Sequence, residues 1–374
     1  MDPVTHALVG AAAARTLIAR PLGARAWLPG AAGALLPDVD ALIRSSTDPL
    51  LYAEFHRHFT HALAFIPIGG ALAALPWIVA RPRGDAVRYL AAAVAGYATH
   101  GVLDACTTYG TLLFWPFSDR RVAWNVISIV DPLFTGVLLA GVAIAVIRRR
   151  VLPAAIALAV AALYLGVGAV QHARAADAQA RLIALRSHDS PRAAVFPAFA
   201  TTIVWRSLYQ QGDMLYMDRI RVPWFGGRQS SEGYAMRLAT ARELPPPVAA
   251  DARLRRDFDR FAWFAGGWIA QTGDAAVIGD ARYSSSASQF DPVWGIRFRP
   301  GEPVPIEWID RSARRRVDPG ELWNELRGTA PGYQSLDECP APTTRSVPAP
   351  TASAPTSPSA RSPSGTFPTR ARRC

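Results

Sequence analysis

The sequence contains no lysine. All 40 of its basic side chains are arginine, against 29 acidic ones, so the net charge of +11 rests on one residue type. These arginines stand singly or in short clusters beside apolar runs. That distribution fits membrane-topology signals better than a phosphate-tracking stripe, and it argues against nucleic acid as a partner. Cysteine is nearly absent. Cys106, Cys339 and Cys374 are an odd number without close spacing, which excludes a disulfide framework and a thiolate zinc knuckle. Cys106 reads as a small buried residue first and as an extra ligand near His100 and Asp104 second. No basic leader precedes the first apolar stretch, so that stretch is expected to stay attached and to leave His6 available. Histidine is scarce as well, at seven, yet three of the seven fall in Phe55-His56-Arg57-His58-Phe59-Thr60-His61.

Half of the chain is apolar, and the apolar content lies upstream. Residues 62–80 carry no charge and are long enough to cross a bilayer. Residues 89–107 form a second run, interrupted by His100 and Asp104, and residues 132–147 and 151–171 form two more. Residues 4–19 and 26–37 are shorter and rich in alanine and glycine, as expected of a packed helical hairpin, spanning or re-entrant. Arg81, Arg83 and Arg88 lie between the first two long runs, and Arg148-Arg149-Arg150 lies between the last two. The positive-inside rule puts both loops in the cytoplasm. His6, the Pro37-Asp38-Val39-Asp40 turn, His56 to His61 and the stretch from Asp104 to Asp131 then face outward together.

The expected fold class is mainly α: a polytopic helical membrane bundle over residues 1–172, followed by a small α+β extramembrane domain. A short polar helix is expected over 173–190 within a linker at 173–195, and the α+β domain over 196–312 on the outer side. Thr202 to Tyr209, Met214 to Met217, Val277 to Gly279 and Gly295 to Phe298 read as its strands, with Asp251 to Trp263 as a helix between them. A connecting segment follows at 313–339. The Pro/Ser/Thr-rich tail at 340–374 has too few apolar residues to bury a core and is expected to be disordered.

Ionisable groups inside apolar segments are costly unless they are paired, metal-bound or facing water. His100 and Asp104 are four apart, so a helix projects both from one face. His58 and His61, three apart, do the same if a helix begins near His58. Asp38 and Asp40 flank one residue of a proline-led turn. With His6, these residues form a pool of metal candidates: His6, Asp38, His58, His61, His100 and Asp104. Nitrogen and oxygen donors without thiolate point to a divalent metal, zinc ahead of manganese or iron, and the pool leaves room for two ions. Asp40, His56 and Asp131 are the catalytic candidates. Bland alternatives stand beside them. His56 and Arg57 are also adequate interfacial residues, Asp38-Val39-Asp40 an adequate helix cap, and Asp131 before Pro132 a natural N-cap. His172 and His188 read as solvated.

At these residues the chain resembles the YdjM-like membrane-bound metal-dependent hydrolases. The matching stretches are Thr5-His6, Leu36-Pro37-Asp38-Val39-Asp40, His56-Arg57 with Thr60-His61, and His100-Gly101-Val102-Leu103-Asp104 followed by Thr107, Tyr109-Gly110 and Trp115-Pro116. Val204-Trp205-Arg206, Phe261-Ala262-Trp263-Phe264 and Asp280-Ala281-Arg282-Tyr283 resemble the outer domain of longer members. The resemblance implies an integral inner-membrane protein with a hydrolase core distantly similar to the zinc phospholipase C and P1 nuclease group. It carries His6, Asp38, His58 or His61, His100 and Asp104 over as ligands. A metal-activated water would attack a phosphoester in a lipid or envelope intermediate, with the outer domain capping the site. The competing expectations are a non-enzymatic metal-binding sensor or envelope scaffold, and a transporter using intramembrane His and Asp. The sequence shows no internal repeat of the kind many transporters carry, and it does not fix the oligomeric state.

Overall fold

The computed structural model describes residues 1–18, 23–80, 85–286, 288–314 and 318–337. The tail at 340–374, Arg20, Arg81, Arg83, Cys339 and Cys374 lie outside the described residues. Among the described residues up to Leu185 the regular elements are all helices, and two antiparallel sheets follow.

Helix α1 (Pro3–Leu17) starts where the Asp2 carboxylate accepts from the Thr5 amide at 3.0 Å and proline opens the first turn. Helix α2 (Trp27–Leu35) packs back on α1 and runs into a tight 3-10 turn, Leu36–Leu42, that carries Asp38 and Asp40. After the short α3 (Leu51–Phe55) come α4 (Ile66–Ala80), α5 (Ala86–Ala105), α6 (Pro132–Ile147) and α7 (Leu152–Leu185). Helix α5 lies across α1 and α2, and its small residues make that approach possible. A Cβ on Gly96 would sit 1.9 Å from the Gly30 carbonyl oxygen, so only glycine lets these two backbones touch.

Among the described residues, two helices are long and apolar enough to cross a membrane, Leu63–Ala80 and Leu152–Leu185, and α6 is a shorter apolar helix. The expected set of spans is thus narrower by this measure. Helix α5 turns a polar face with His100 and Asp104 inward, and α1 and α2 are shorter still. The two long helices are only 22% buried over their most apolar stretch, unlike the core helix of a globular domain. Ile68, Leu72, Leu75, Val160 and Leu163 point away from the protein.

The polar helix expected over 173–190 is no separate element, because α7 runs unbroken for 34 residues. Alanine and leucine continue past position 172 without a breaker, and the polar residues there are used by the sheet. Gln179 donates to the Ala194 carbonyl and the Ser207 hydroxyl, each at 2.9 Å, and Ala175, Ala178 and Leu182 pack on Val195, Trp205 and Ile220. Strands β1 (Arg192–Pro197), β2 (Val204–Gln211), β3 (Met214–Arg221) and β4 (Gln229–Arg237) pair in sequence order. Helices α8 (Pro246–Ala250) and α9 (Ala252–Phe264) lead to a second sheet, β5 (Ile269–Gln271), β6 (Val277–Asp280), β7 (Trp294–Phe298) and β8 (Ile306–Asp310). Helix α10 (Pro319–Arg327) precedes β9 (Tyr333–Ser335), which closes the first sheet against β4 from a stretch expected only to connect.

Leu254, Phe258, Phe261 and Phe264 form the buried face of α9 at helical spacing. They pack on Ile278, Ile296 and Phe298 of the second sheet and, across the boundary with the helical half, on Leu50, Ala53 and Tyr109. Arg260 fixes the same contact: its guanidinium grips both carboxylate oxygens of Asp48, at 3.0 and 2.9 Å, and reaches Glu54 Oε2 at 2.7 Å. The C-terminal half therefore holds the segment that leads into His56.

Candidate metal centre

Three chain segments meet at one end of the helical half: the turn 36–42, the loop 56–61 and the last turns of α5. Asp38, His61, His100 and Asp104 each turn one ligand-type atom into this point, and those four atoms lie within 4.8 Å of one another. His61, His100 and Asp104 are buried, while the Asp38 side chain is 26% exposed and faces the opening. Asp38, Asp40 and His56 form a second such group beside the first.

Hydrogen bonds behind the ligands set the tautomers. His100 Nδ1 lies 2.5 Å from the Ala34 carbonyl, which only accepts, so Nδ1 carries the proton and Nε2 presents its lone pair inward. His61 Nδ1 lies 3.1 Å from Asp40 Oδ2 and 3.0 Å from the Thr60 hydroxyl, which gives its Nε2 the same role. The two Nε2 atoms are 2.9 Å apart. Two lone pairs at that distance repel unless a proton or a metal cation lies between them. Asp104 Oδ2 is buried beside them, 3.3 Å from His61 Nε2 and 3.5 Å from His100 Nε2, with Arg57 Nε as its ion-pair partner at 3.0 Å. Asp38 Oδ1 stands 3.5 Å from both imidazole nitrogens. Two imidazoles and two carboxylates converging on one point fit a divalent ion of the zinc or manganese type.

The electrostatics agree. Burial alone raises Asp38, yet hydrogen bonding from His100 and His61 outweighs it and holds this carboxyl below the usual range. Asp40 is depressed in the same way by His56 and His61. For His61 burial opposes the charged form, but Asp104, Asp38 and Asp40 together lift it to about 10. Three carboxylates thus surround a point that calls for positive charge.

Close backbone packing places these groups. A Cβ on Gly101 would sit 2.1 Å from the His61 carbonyl oxygen, so glycine here lets the 56–61 loop lie against α5. Arg57 adopts φ 66°, an unfavourable region for a side chain, and its amide thereby donates to Asp40 Oδ2 at 2.9 Å. Thr60 donates to the same oxygen at 2.7 Å and His56 Nδ1 meets Oδ1 at 2.8 Å, so Asp40 orients the loop instead of standing free.

The remaining candidates fall into different places. His6 stacks on His100 with ring centroids 3.7 Å apart and brings Nε2 to 3.1 Å from Asp104 Oδ1, beside the four converging atoms but not among them. The Met1 amine also meets Asp104. His58 lies outside both groups, among Phe55, Phe59 and Trp115. It precedes a 3-10 turn, Phe59–His61, whose geometry does not repeat the helical face that three-residue spacing assumes. Asp131 is remote. One oxygen caps α6 through the Phe134 amide at 3.1 Å and the other accepts from Tyr164 at 2.8 Å. Cys106 donates to the Val102 carbonyl at 3.4 Å and joins no metal group.

Arg57 is the residue sequence reasoning missed. It is buried, 3.0 Å from Asp104 Oδ2 through Nε and 2.9 Å from Thr107 through Nη1, with its guanidinium carbon 4.6 Å from the centre of the Tyr109 ring. Its place among three histidines was the available signal. Arg282 is the other. Paired with Asp280 at 2.7 Å, it donates to the carbonyls of Thr108, Tyr109 and Phe264 and so ties the C-terminal half to the loop after α5.

Residues 1–175 match the model of the YdjM inner membrane protein family, the family that the motifs in this part of the chain resemble. No curated protein and no solved structure matches the chain.

Proposed function

We propose that the protein is a multi-pass membrane hydrolase that uses a divalent metal, zinc first, on a phosphoester of a lipid or envelope intermediate, a reading supported by the match of residues 1–175 to the YdjM inner membrane protein family model. The observation that carries this reading is the pair of inward Nε2 atoms on His61 and His100, closed by the carboxylates of Asp38 and Asp104. Asp38, His61, His100 and Asp104 would hold the ion. When bound, such an ion lowers the pKa of coordinated water toward neutrality and polarises the scissile oxygen. Asp40 fixes the His61 ring through Nδ1 and shares the carboxylate with His56, whose exposed edge is placed to accept or return a proton at the mouth. Arg57 offers a fixed cation beside Asp104 for developing negative charge.

The ends of α4, α5, α6 and α7 nearest the site belong, by the arginine pattern, to the outer face, with the C-terminal domain extracytoplasmic. Reporter fusions after residues 149 and 200 check that orientation. Residue 149 is expected inside and residue 200 outside, and a cytoplasmic residue 200 overturns it.

The direct test is metal analysis of detergent-purified protein beside His100→Ala, together with hydrolysis of bis(p-nitrophenyl) phosphate. Stoichiometric zinc or manganese and hydrolysis, both lost in His100→Ala, support the reading. A metal-binding sensor is the second reading, because four protein donors can complete a tetrahedral sphere. Bound metal without hydrolysis of any phosphoester favours it. The part-exposed Asp38 favours the hydrolase, since it leaves the ion reachable from outside.

A further inference from the structure

A cavity of 520 Å3 opens between the loop after α5 and the C-terminal half, within the size range of small-ligand sites. Its walls are aromatic, from Phe114, Trp124, Phe196, Phe264 and Trp268, and no carboxylate lines it among the described residues. Arg120, Arg121 and Arg282 do. Arg282 is neutralised by Asp280. Arg121 is not: among the described residues no carboxylate pairs with it. Its Nη2 donates to the Gly110 carbonyl at 2.9 Å, while Nε and Nη1 are buried without any acceptor. The guanidinium is held flat among Tyr109, Trp263 and Phe264, with ring centres 5.2 to 5.4 Å away. Burial lowers Arg121 to about 10, still far above neutral pH, so it remains a cation that lacks an anion. That unpaired positive charge on the cavity wall, beside the exposed Arg120, attracts the oxygens of a phosphate.

The cavity is one side chain from the metal centre. Tyr109 packs on His56 and Arg57 on one side and on Arg121 on the other, and Arg121 Nη2 lies 3.4 Å from the His56 carbonyl. At the mouth, Phe114 and Trp124 are 49% and 44% exposed.

We propose that this cavity binds the phosphate group of an amphiphilic phosphoester, with Arg121 and Arg120 as its ligands and the aromatic walls receiving the apolar chain. The use of that binding, to hold substrate beside the metal centre, rests on the hydrolase reading; the binding itself is separable from it.

The test is calorimetric titration of the full chain, stripped of metal and held in an uncharged detergent, with hexyl phosphate, inorganic phosphate and hexanol. Hexyl phosphate is expected to bind saturably at one per chain, about ten-fold tighter than inorganic phosphate or hexanol. Arg121→Gln is expected to weaken it by about ten-fold. Arg120 is exposed, so Arg120→Gln disturbs no packing and is expected to weaken binding several-fold. The proposal is overturned if hexyl phosphate binds no tighter than inorganic phosphate, or if both variants bind it as the wild type does. A wild-type chain that binds hexyl phosphate but takes up no zinc removes the hydrolase reading and keeps this site. Zinc uptake without hexyl phosphate binding removes this site alone.

Discussion

His61 Nε2 and His100 Nε2 stand 2.9 Å apart while the opposite nitrogen of each ring is committed to an acceptor, Asp40 for His61 and the Ala34 carbonyl for His100. With those nitrogens protonated, the two inward Nε2 atoms need one positive charge between them, an added proton on His61 or a divalent metal. The pair is therefore built around a cation. Either His100→Ala or His61→Ala is expected to abolish stoichiometric zinc in metal analysis of the purified protein, whereas His58→Ala retains it. Equal zinc loss in His58→Ala would restore that histidine to the ligand set.

Asp40 acts through His61. Asp40→Asn keeps the shape but weakens the hold on Nδ1, so zinc affinity is expected to fall by about 10- to 100-fold. Competition with a calibrated chelator reads this directly. An unchanged affinity would show that Thr60 alone orients the ring.

The empty site has a defined pH response. His61 is raised to about 10 in the folded chain, so its proton contributes stability that is fully present below about 6.5 and lost as pH rises through about 10. The unfolding midpoint of chelator-treated protein should fall across that window, and saturating zinc should remove the dependence. Zinc uptake at neutral pH should also release protons, which an unbuffered indicator assay detects.

Asp131 separates architecture from chemistry. Asp131→Ala removes the N-cap of α6 and the acceptor for Tyr164, at a cost of about 1 kcal/mol from the cap alone, and leaves zinc content intact. Zinc loss in a variant with a normal unfolding midpoint would place Asp131 in the site after all.

Gly101→Ala tests how the loop is seated. The added methyl meets the His61 carbonyl oxygen at 2.1 Å, so the backbone must move and His61 with it. Zinc loss is expected with the helices retained by circular dichroism; full zinc content would show that the loop yields without moving the ring.

Much of the helical half was legible in the sequence, because apolar runs and capping signals are local. Pro3 after Asp2 and Pro132 after Asp131 mark the helix starts that the structure contains. His100 and Asp104 share a face by helical spacing, and that arithmetic needs no tertiary information. The strand cores at 204–209, 277–279 and 295–298 were visible for the same local reason. The end of α7 and the pairing of β9 with β4 were not, since both are decided by contacts between residues far apart in the chain.

The sequence by itself determined which residue types this protein has to spend: seven histidines, few cysteines, and carboxylates set at the edges of apolar runs. Only the tertiary structure decided which of them meet. His61 enters the centre and His58 does not, because a 3-10 turn and not an α-helix follows His58. Asp40 supports the cluster while Asp38 faces it, because two residues of one tight turn point to different partners. Arg57, an ordinary interfacial arginine in the sequence, became the cation beside Asp104 once glycine at 101 let its loop lie on α5. Spacing fixes direction only within a regular element; across a turn, packing chooses.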